Sequence, residues 1–338
     1  MTVYIGIDLH SNNSMVVVID EKGKRLHERR LRNELPLIVE DLAPFRKRCS
    51  GVVVESTFNW YWLVDGLMEE GYDVHLANTA AIQKYCELKY SDDKTDARWL
   101  AEMLRVGVLK EGYIYPREGR ALRDLLRKRS QLVQQKTAQM LSIQGLVSRS
   151  VGVSLSGNQV KTLTAWDLKE LLPDPLVVQA VMSNLKVYRC LVKEVRELER
   201  AVLARAKRHP DFRSLLGVPG IGHVLGLTIL LETGDINRFP GVGNYASYCR
   251  CVGSQRRSNG KKKGKGNTKS GNRYLAWAYV EAANYAIRFH PKIQRFYERK
   301  RRKTGRLVAI KTVAHKIARG CYHVLKNNVP FEVERAFA

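Results

Sequence analysis

The sequence predicts an α/β domain at the N-terminus, followed by a mostly helical and strongly basic region. Short apolar segments alternate with amphipathic helical segments up to residue 112, and longer helical patterns follow. The charge changes near the same place. Residues 1–117 contain 16 Lys and Arg against 18 Asp and Glu, a net charge of −2, and residues 118–338 contain 42 against 15, a net charge of +27. We therefore predict three domains, at residues 1–112, 113–208 and 209–338.

The overall composition indicates a globular protein that binds a polyanion. The 338 residues are 44% hydrophobic and 27% charged, with a net charge of +25, and no apolar run is long enough to span a bilayer. The start of the chain does not read as a secretory signal, and the six cysteines are scattered, which favours reduced thiols in a cytoplasm. The basic excess favours nucleic acid over acidic lipid, because the sequence has no amphipathic anchor or lipidation motif.

The first domain begins with three predicted strands that are joined by short polar turns. Buried strands and amphipathic helices then alternate, as the apolar patterns indicate. The predicted strands cover residues 3–9, 14–20, 25–31, 51–56 and 72–77, and the predicted helices cover 36–48, 60–70, 78–87 and 93–106. Three antiparallel strands followed by helix, strand, helix, strand and helix is the ribonuclease-H-like order.

Four carboxylates in this domain are candidates for a metal site. In the predicted fold Asp8 lies on the central first strand and Glu55 ends the neighbouring fourth strand, while Asp93 and Asp96 share one face of the last helix. Such acids suit one or two Mg²⁺ ions that hold a phosphodiester. Each also has a simpler structural explanation, as a turn cap, a helix cap or an ion-pair partner. Glu55 is the hardest to explain in this way, because a carboxylate that closes a Val-Val-Val run needs a partner.

A different class of enzyme shares part of this pattern. Actin-like sugar kinases open with a Gly-x-Asp similar to Gly6-Ile7-Asp8. They need further glycine-rich phosphate loops, which this sequence lacks. The acids therefore favour phosphodiester chemistry over sugar phosphorylation.

The middle of the chain predicts two long helices, at residues 118–147 and 176–206, separated by an irregular segment. In the second helix apolar residues alternate at intervals of three and four, and Glu199 is the one charged residue in this series. The series contains Val178, Val181, Leu185, Tyr188, Val192, Val195, Glu199 and Val202. The pattern fits an antiparallel helical hairpin within the chain or a coiled coil between chains, and it does not separate the two.

The last domain combines a glycine-rich turn with two basic clusters. Leu215–Gly222 reads Leu-Leu-Gly-Val-Pro-Gly-Ile-Gly between two helices, which is a helix-hairpin-helix pattern that lets backbone N–H groups approach a phosphate. The segment 250–273 holds nine Lys and Arg and five Gly, and we expect a mobile loop there. The predicted nucleic-acid ligands are Gly220, Gly222, Arg256, Arg257, Lys261, Lys262, Lys263, Lys265, Arg299, Arg301 and Arg302.

A serine in this loop is a candidate nucleophile. Ser258 lies between Arg256-Arg257 and a run of three lysines, and such positive charge holds a phosphodiester and favours an alkoxide. Ser254 and Ser270 share the loop, and composition alone does not separate the three serines.

The motifs resemble those of the DEDD-type insertion-sequence transposases, relatives of the Piv invertase, which include the bridge-RNA-guided recombinases. That family opens with a RuvC-like domain whose acids correspond to Asp8, Glu55 and the Asp-x-x-Asp-Ala-Arg motif at residues 93–98. A coiled-coil segment, a Pro-Gly-Ile-Gly turn and a Gln-x-Ser-Ser-Gly-Gly-Lys-like loop follow. In this chain the loop has Arg257 for the first Ser and Asn259 for the first Gly, so Ser258 is the serine that remains. The Lys-Thr that often precedes the acidic motif is missing.

The resemblance implies a site-specific DNA recombinase that cuts and joins donor and target DNA. It implies that Ser258 is the nucleophile, that Asp8, Glu55, Asp93 and Asp96 hold Mg²⁺, and that the acids and the serine form a composite site. It also implies a structured guide RNA and a homotetramer built from two dimers. Two alternatives remain at this point: a RuvC-like metal nuclease or junction resolvase in which Ser258 is structural, and a non-catalytic nucleic-acid scaffold.

Overall fold

The fold is taken from a computed structural model that describes residues 1–79, 81–82, 93–254, 256–264 and 270–338. The chain divides into two compact units, Met1–Arg117 and Glu118–Ala338. The boundary lies close to the change of charge at residue 117. A separate domain at residues 113–208 stays a prediction.

A five-stranded mixed sheet forms the centre of the first unit. Its order is β3-β2-β1-β4-β5, with β1–β3 antiparallel and β1, β4 and β5 parallel. The strands are β1 (Val3–Leu9), β2 (Asn13–Asp20), β3 (Arg25–Arg32), β4 (Cys49–Glu55) and β5 (Val74–Ala77). β1 and β4 are buried on both faces, which explains their continuous apolar sequences. The predicted α/β class and the antiparallel start of the sheet are confirmed.

Helices cover both faces of this sheet. The helices are α1 (Leu35–Leu42), α2 (Tyr61–Glu69) and α3 (Asp93–Arg105). Ile5 and Ile7 of β1 pack with side chains of α1 and α2, and α3 packs on the opposite face against β1, β2 and β4. The helix predicted at 36–48 ends at Leu42 and continues as a 3₁₀ helix, Ala43–Arg48, with Pro44 in its first turn. The helix predicted at 78–87 lies mostly outside the described residues.

Gly6 allows α3 to lie directly on the central strand. A Cβ atom at this position would come within 1.9 Å of the Ala97 carbonyl oxygen and 2.8 Å of the Ala101 nitrogen. Since both are backbone atoms, no side-chain rotation relieves the clash. The glycine before Ile7-Asp8 therefore has a packing role that is independent of any phosphate loop.

We expect Gly6→Ala to displace α3 from the sheet and to lower the free energy of unfolding by about 1–3 kcal/mol. Chemical denaturation of the purified chain measures this change. Gly112→Ala is the control in the same unit: a Cβ there would lie 3.5 Å from the nearest atoms, which is an ordinary contact distance. An equal loss of stability in both variants would show that the added methyl group itself, and not the contact with α3, governs the effect.

The second unit is mostly helical. Its long helices are α4 (Arg117–Val151), which begins at the last residue of the first unit, and α7 (Pro175–Ala206). The others are α5 (Gly157–Thr162), α6 (Ala165–Leu171), α8 (Pro210–Leu216), α9 (His223–Thr233), α10 (Val242–Tyr248), α11 (Arg273–Phe289), α12 (Pro291–Thr304), α13 (Arg306–Asn327) and α14 (Val333–Ala336), with strands β6 (Arg256–Ser258) and β7 (Lys261–Gly264). The segment predicted to be irregular contains α5 and α6, each begun by a capping box.

Helices α4 and α7 run antiparallel to each other. Arg129 Nε donates to Glu199 Oε1 at 2.8 Å, and Asn184 Nδ2 donates to Ser142 Oγ at 2.9 Å, so residue numbers rise along one helix as they fall along the other. Apolar residues of both helices, including Leu185, share one core cluster. The structure thus supports the hairpin alternative within the chain, and the break at Glu199 is an ion pair with α4.

The largest core of the second unit is built from α8 to α13 and contains the thiols of Cys249 and Cys321. Burial raises the pKa of the Cys321 thiol to about 12, so this side chain is an inert part of the core. The five described cysteines are all free thiols, which fits the predicted reduced state. Within the described ranges, none of the helices combines the length and apolar character that a membrane span requires.

Candidate metal centre and nucleic-acid interface

Asp8 and Glu55 lie at the same end of two neighbouring parallel strands. Ile7 is paired with Val54, so the two acids occupy the next positions along β1 and β4. Asp8 is buried and Glu55 is half-buried. Because side chains alternate along a strand, Asp8 lies on the Gly6 face, which is the face that α3 covers.

The first turn of α3 brings the other two predicted acids to this face. The carbonyl of Ala97 lies against Gly6. Asp93 lies four residues before Ala97, and Asp96 lies directly before it. Both carboxylates are half-buried. The close contact at Gly6 therefore sets the position of the acidic turn above the end of β1.

A histidine joins Asp8 and Asp93, and the sequence reasoning did not identify it. His10 Nε2 lies 3.3 Å from Asp8 Oδ2 and 3.2 Å from Asp93 Oδ1. Potential ligand atoms of these three residues all lie within 4.8 Å of one another. Two carboxylates and an imidazole nitrogen at this spacing are a donor set for a divalent cation such as Mg²⁺ or Mn²⁺.

Arg30 of β3 supplies a fixed positive charge beside the acids. Its Nη2 donates to Asp93 Oδ2 at 2.6 Å, and its Nη1 donates to Asn13 Oδ1 at 2.9 Å. The hydrogen bond from Arg30, with a smaller contribution from His10, lowers the pKa of the Asp93 carboxyl below its usual value. Asp93 is therefore ionised at neutral pH, the form that a metal requires.

Two asparagines hold the backbone of His10. Asn33 Nδ2 and Asn59 Nδ2 each donate to the His10 carbonyl oxygen at 2.9 Å. Asn33 follows β3 and Asn59 follows β4, so loops from both sides of β1 converge on this carbonyl. Ser14 Oγ in turn donates to Asn33 Oδ1 at 2.7 Å. The loop that carries His10 is thus fixed before any ligand binds, which reduces the entropy cost of assembling the site.

The predicted serine lies on a short β-hairpin within the segment where we expected a mobile loop. Ser258 is the last residue of β6 and pairs with Lys261 of β7. Asn259 and Gly260 connect the strands with φ angles of 49° and 71°, the geometry of a two-residue hairpin turn. Ser258 is exposed, and as a cross-strand pair Ser258 and Lys261 lie on the same face. A lysine beside an exposed hydroxyl suits the binding of a phosphate.

The base of this hairpin segment is clamped by backbone contacts. Arg250 Nε donates to the Gly271 carbonyl at 3.0 Å, and the Asn272 N–H donates to the Tyr248 carbonyl at 2.6 Å. Gly271 has a φ of 91°, and a Cβ there would lie 2.5 Å from the Tyr248 oxygen. Its two ends are therefore held together although 20 residues separate Arg250 from Gly271.

A buried ion pair contacts Asn272, at the C-terminal end of this hairpin segment. Glu232 of α9 accepts two hydrogen bonds from Arg127 of α4, at 2.6 and 2.7 Å, and a third from Asn272 Nδ2 at 2.7 Å. Asn272 also caps α11 through the N–H groups of Tyr274 and Leu275. Burial lowers the pKa of Arg127, but the Glu232 carboxylate outweighs it and the net shift is upward.

The predicted nucleic-acid ligands divide into structural and exposed groups. A Cβ at Gly220 would come within 2.1 Å of the Ala282 oxygen of α11, so this glycine serves packing, whereas a Cβ at Gly222 would meet open space. Arg299, Arg301 and Arg302 are exposed on α12. Cations near the end of a helix also stabilise its dipole, so their position alone does not establish binding. Lys265 lies outside the described residues, and Arg256, Arg257, Lys261, Lys262 and Lys263 belong to the hairpin strands.

Comparison with known proteins identifies the family. A model of DEDD transposases of the IS110 type matches residues 5–150, and a model described as "Transposase IS116/IS110/IS902 family" matches residues 213–298. The first match contains the acidic site, and the second contains the glycine turn and the Ser258 hairpin. The chain belongs to the IS110 family of transposases.

Curated relatives agree with this assignment. The transposase is 25% identical over 297 residues to "Transposase for insertion sequence element IS1111A" of Coxiella burnetii, an alignment that covers 84% of this chain and 78% of the relative. It is 22% identical over 287 residues to "Probable family 20 transposase" of Pseudomonas aeruginosa, an alignment that covers 84% of this chain and 80% of the relative. It is therefore an enzyme that acts on DNA in the transposition of an insertion element.

Membership in a DEDD transposase family implies the use of a divalent metal. The donors at the end of β1 fit such an ion, because Asp8 is buried beside an ionised Asp93 and a nitrogen ligand lies between them. Asp8 and Asp93 are brought together as predicted. Glu55 lies at the end of the adjacent strand β4, and Asp96 lies on the same turn of α3 as Asp93. That these two residues bind the metal stays a prediction.

Proposed function

We propose that the transposase is a site-specific recombinase that cuts and rejoins DNA through a covalent bond to Ser258. The observation that carries this proposal is the placement of Ser258 at an exposed hairpin end, paired with Lys261 and followed by a fixed turn. This placement presents one of the three serine hydroxyls in the segment 250–273 at a defined position. We further propose that the first unit is ribonuclease-H-like, which its strand order β3-β2-β1-β4-β5 supports.

In the proposed reaction Ser258 Oγ attacks a DNA phosphorus, forms the Oγ–P bond and gives its proton to water. The bond from phosphorus to the leaving sugar oxygen breaks, and that oxygen takes up a proton from water. Lys261 holds the phosphate against the hydroxyl. Asp8, Glu55, Asp93 and Asp96, with His10, would hold Mg²⁺, which would supply positive charge to balance the charge of the phosphate and of the leaving oxygen. Rejoining is the reverse attack by a sugar hydroxyl, which releases the serine.

The basic residues of the second unit would hold the nucleic-acid backbone. We propose that they bind donor and target DNA and a structured guide RNA, which the net charge of +27 over residues 118–338 supports. Exchange between two duplexes requires several serine nucleophiles. We therefore propose a homotetramer of two dimers.

We expect Ser258→Ala to abolish covalent protein–DNA adducts, because no other group replaces the nucleophile. The adduct is measured by denaturing electrophoresis of a labelled DNA carrying the element end after incubation with Mg²⁺. Ser254→Ala is the matched control, since it changes a serine of the same segment that lies before the hairpin, and it should retain adduct formation within about threefold.

The nuclease alternative makes a different prediction in the same assay. If Ser258→Ala still cleaves DNA at the wild-type rate while Asp8→Ala does not, hydrolysis by a metal nuclease is correct and the covalent step is wrong. Metal-independent binding without cleavage by the wild-type chain would support a scaffold instead.

A further inference from the structure

The second unit has an aromatic groove that the proposed chemistry does not use. A cavity of about 890 Å³ lies between the turn at residues 216–225 and α11. Trp277, Tyr285 and Phe289 project into it from one face of α11, at multiples of four residues. Their exposed fractions are 40%, 50% and 69%, and the rings of Tyr285 and Phe289 are stacked. Together with Glu281 these residues form what we call the aromatic groove.

A more polar cavity continues from the aromatic groove. It has a volume of about 700 Å³ and shares Arg129, Val133 and Trp277 with the first cavity. Its other lining residues are polar or basic for the most part: Asp124, Arg127, Lys128, Ser130, Gln131, Gln134, Arg273 and Tyr274. Trp277 therefore stands between an aromatic surface and a basic one. This pairing matches an unpaired nucleotide, which has a flat base on one side and a charged phosphate on the other.

The charge of the second unit argues against a second copy of the chain as the occupant. Residues 118–338 carry a net charge of +27, so two copies of this surface repel each other. A strand of DNA has the opposite charge. Pairing of a DNA strand with the proposed guide RNA also requires the duplex to unpair, which exposes the base faces that aromatic rings bind.

Glu281 adds a specificity element to the groove. Its carboxylate lies one helical turn from both Trp277 and Tyr285, in the lining of the aromatic cavity. A carboxylate disfavours a phosphate at this place, but it accepts hydrogen bonds from the exocyclic amino groups of cytosine, adenine and guanine. Thymine has no such group.

We propose that the aromatic groove binds an unpaired segment of DNA, with a base stacked on Trp277 and with Glu281 selecting bases that carry an amino group. The inference deepens the proposed function, because it assigns a place to DNA that unpairs when the guide RNA pairs. Lys128 and Arg273 then lie beside the phosphates of the same segment. Binding here does not depend on Ser258 or on metal.

Fluorescence anisotropy with labelled single strands of about twelve nucleotides tests the proposal on the full-length chain. Wild type is expected to bind oligo-dC more tightly than oligo-dT. Trp277→Leu keeps an apolar side chain but removes the stacking face, and should weaken oligo-dC binding roughly tenfold. Trp166→Leu is the matched control, because Trp166 is also exposed, at 69%, but lies on α6 outside both cavities. Glu281→Gln should reduce the preference for oligo-dC.

Stacking has a direct signature that a structural role of Trp277 does not produce. The fluorescence of a 2-aminopurine in the oligonucleotide is quenched when the base stacks on an aromatic ring, and this quenching should be lost in Trp277→Leu and retained in Trp277→Tyr. Equal loss of affinity in Trp166→Leu, or unchanged quenching in Trp277→Leu, overturns the proposal. Tighter, Trp277-dependent binding of single-stranded RNA overturns the assignment to DNA. If Trp277→Leu changes neither affinity nor quenching while wild type still forms adducts at Ser258, only the groove proposal is wrong. If wild type forms no adducts but the stacking signal depends on Trp277, only the covalent mechanism is wrong.

Discussion

Asp8→Asn is expected to lower the rate of DNA cleavage by about 10³-fold while DNA binding stays within about twofold of wild type. Asp8 is 3% exposed, and its carboxylate faces the His10 nitrogen at the end of β1. The amide keeps the shape of the side chain but removes the charge that a divalent cation requires. The exposed cations that we expect to bind DNA belong to the other unit, so affinity is not expected to change.

Two measurements separate the metal from the DNA in this experiment. Isothermal titration with Mn²⁺ reports metal binding, and anisotropy with a labelled duplex reports DNA affinity. Asp73→Asn is the matched control, because Asp73 precedes β5 at the opposite end of the sheet and its side chain is 74% exposed. Cleavage by Asp8→Asn within tenfold of wild type would contradict the metal assignment, as would an equal loss of Mn²⁺ binding in Asp73→Asn.

The fold of the first unit was predictable because its sequence pattern is strong. β1 and β4 are continuously apolar, which is the pattern of strands buried on both faces, and the turns between the first three strands are short and polar. Asp8 and Glu55 could therefore be placed at adjacent strand ends from the order of elements. Gly6 shows the limit of this reasoning, since its contact with α3 is visible only when the helix and sheet are packed together.

The metal site was predicted only in part because some of its residues have no local signal. Arg30 reaches Asp93 from β3, and the two residues are 63 positions apart in the sequence. His10 carried a weak signal, since it follows Asp8 by two residues, the period at which a strand places side chains on one face. The asparagines that hold its carbonyl are polar loop residues like many others.

The sequence contains a clear signal for the hairpin that carries Ser258, but the composition of the segment favoured a different prediction. Asn259-Gly260 between two short segments is a strong predictor of a two-residue turn. The density of Lys and Gly led instead to the expectation of a mobile loop. Its turn is fixed by the left-handed conformations of Asn259 and Gly260, which depend on residue type and not on burial.

Glu232→Ala is expected to lower the free energy of unfolding of the second unit by about 3–5 kcal/mol. The Glu232 side chain is 2% exposed, and its loss leaves the Arg127 guanidinium and the Asn272 amide without their acceptor. Since 1 kcal/mol changes the melting temperature of a unit of this size by about 2–4 °C, thermal unfolding should shift by roughly 6–20 °C. Glu232 could have been suspected from the sequence, because it is the one charged residue between His223 and Thr233.

A second ion pair between helices of the same unit provides the control. Glu199 of α7 pairs with Arg129 of α4, but the Glu199 side chain is 34% exposed. Arg129 is 13% exposed and lines two open cavities, where water can replace the lost carboxylate, so Glu199→Ala should cost only about 1–2 kcal/mol. Similar losses from the two variants would show that burial of Glu232 is not what makes the pair important.

The double variant Arg127→Met, Glu232→Leu removes both charges and should recover most of the stability. Because Asn272 follows the hairpin segment and caps α11, we expect Ser258 adducts to fall in Glu232→Ala even below its melting temperature, while Glu199→Ala retains them.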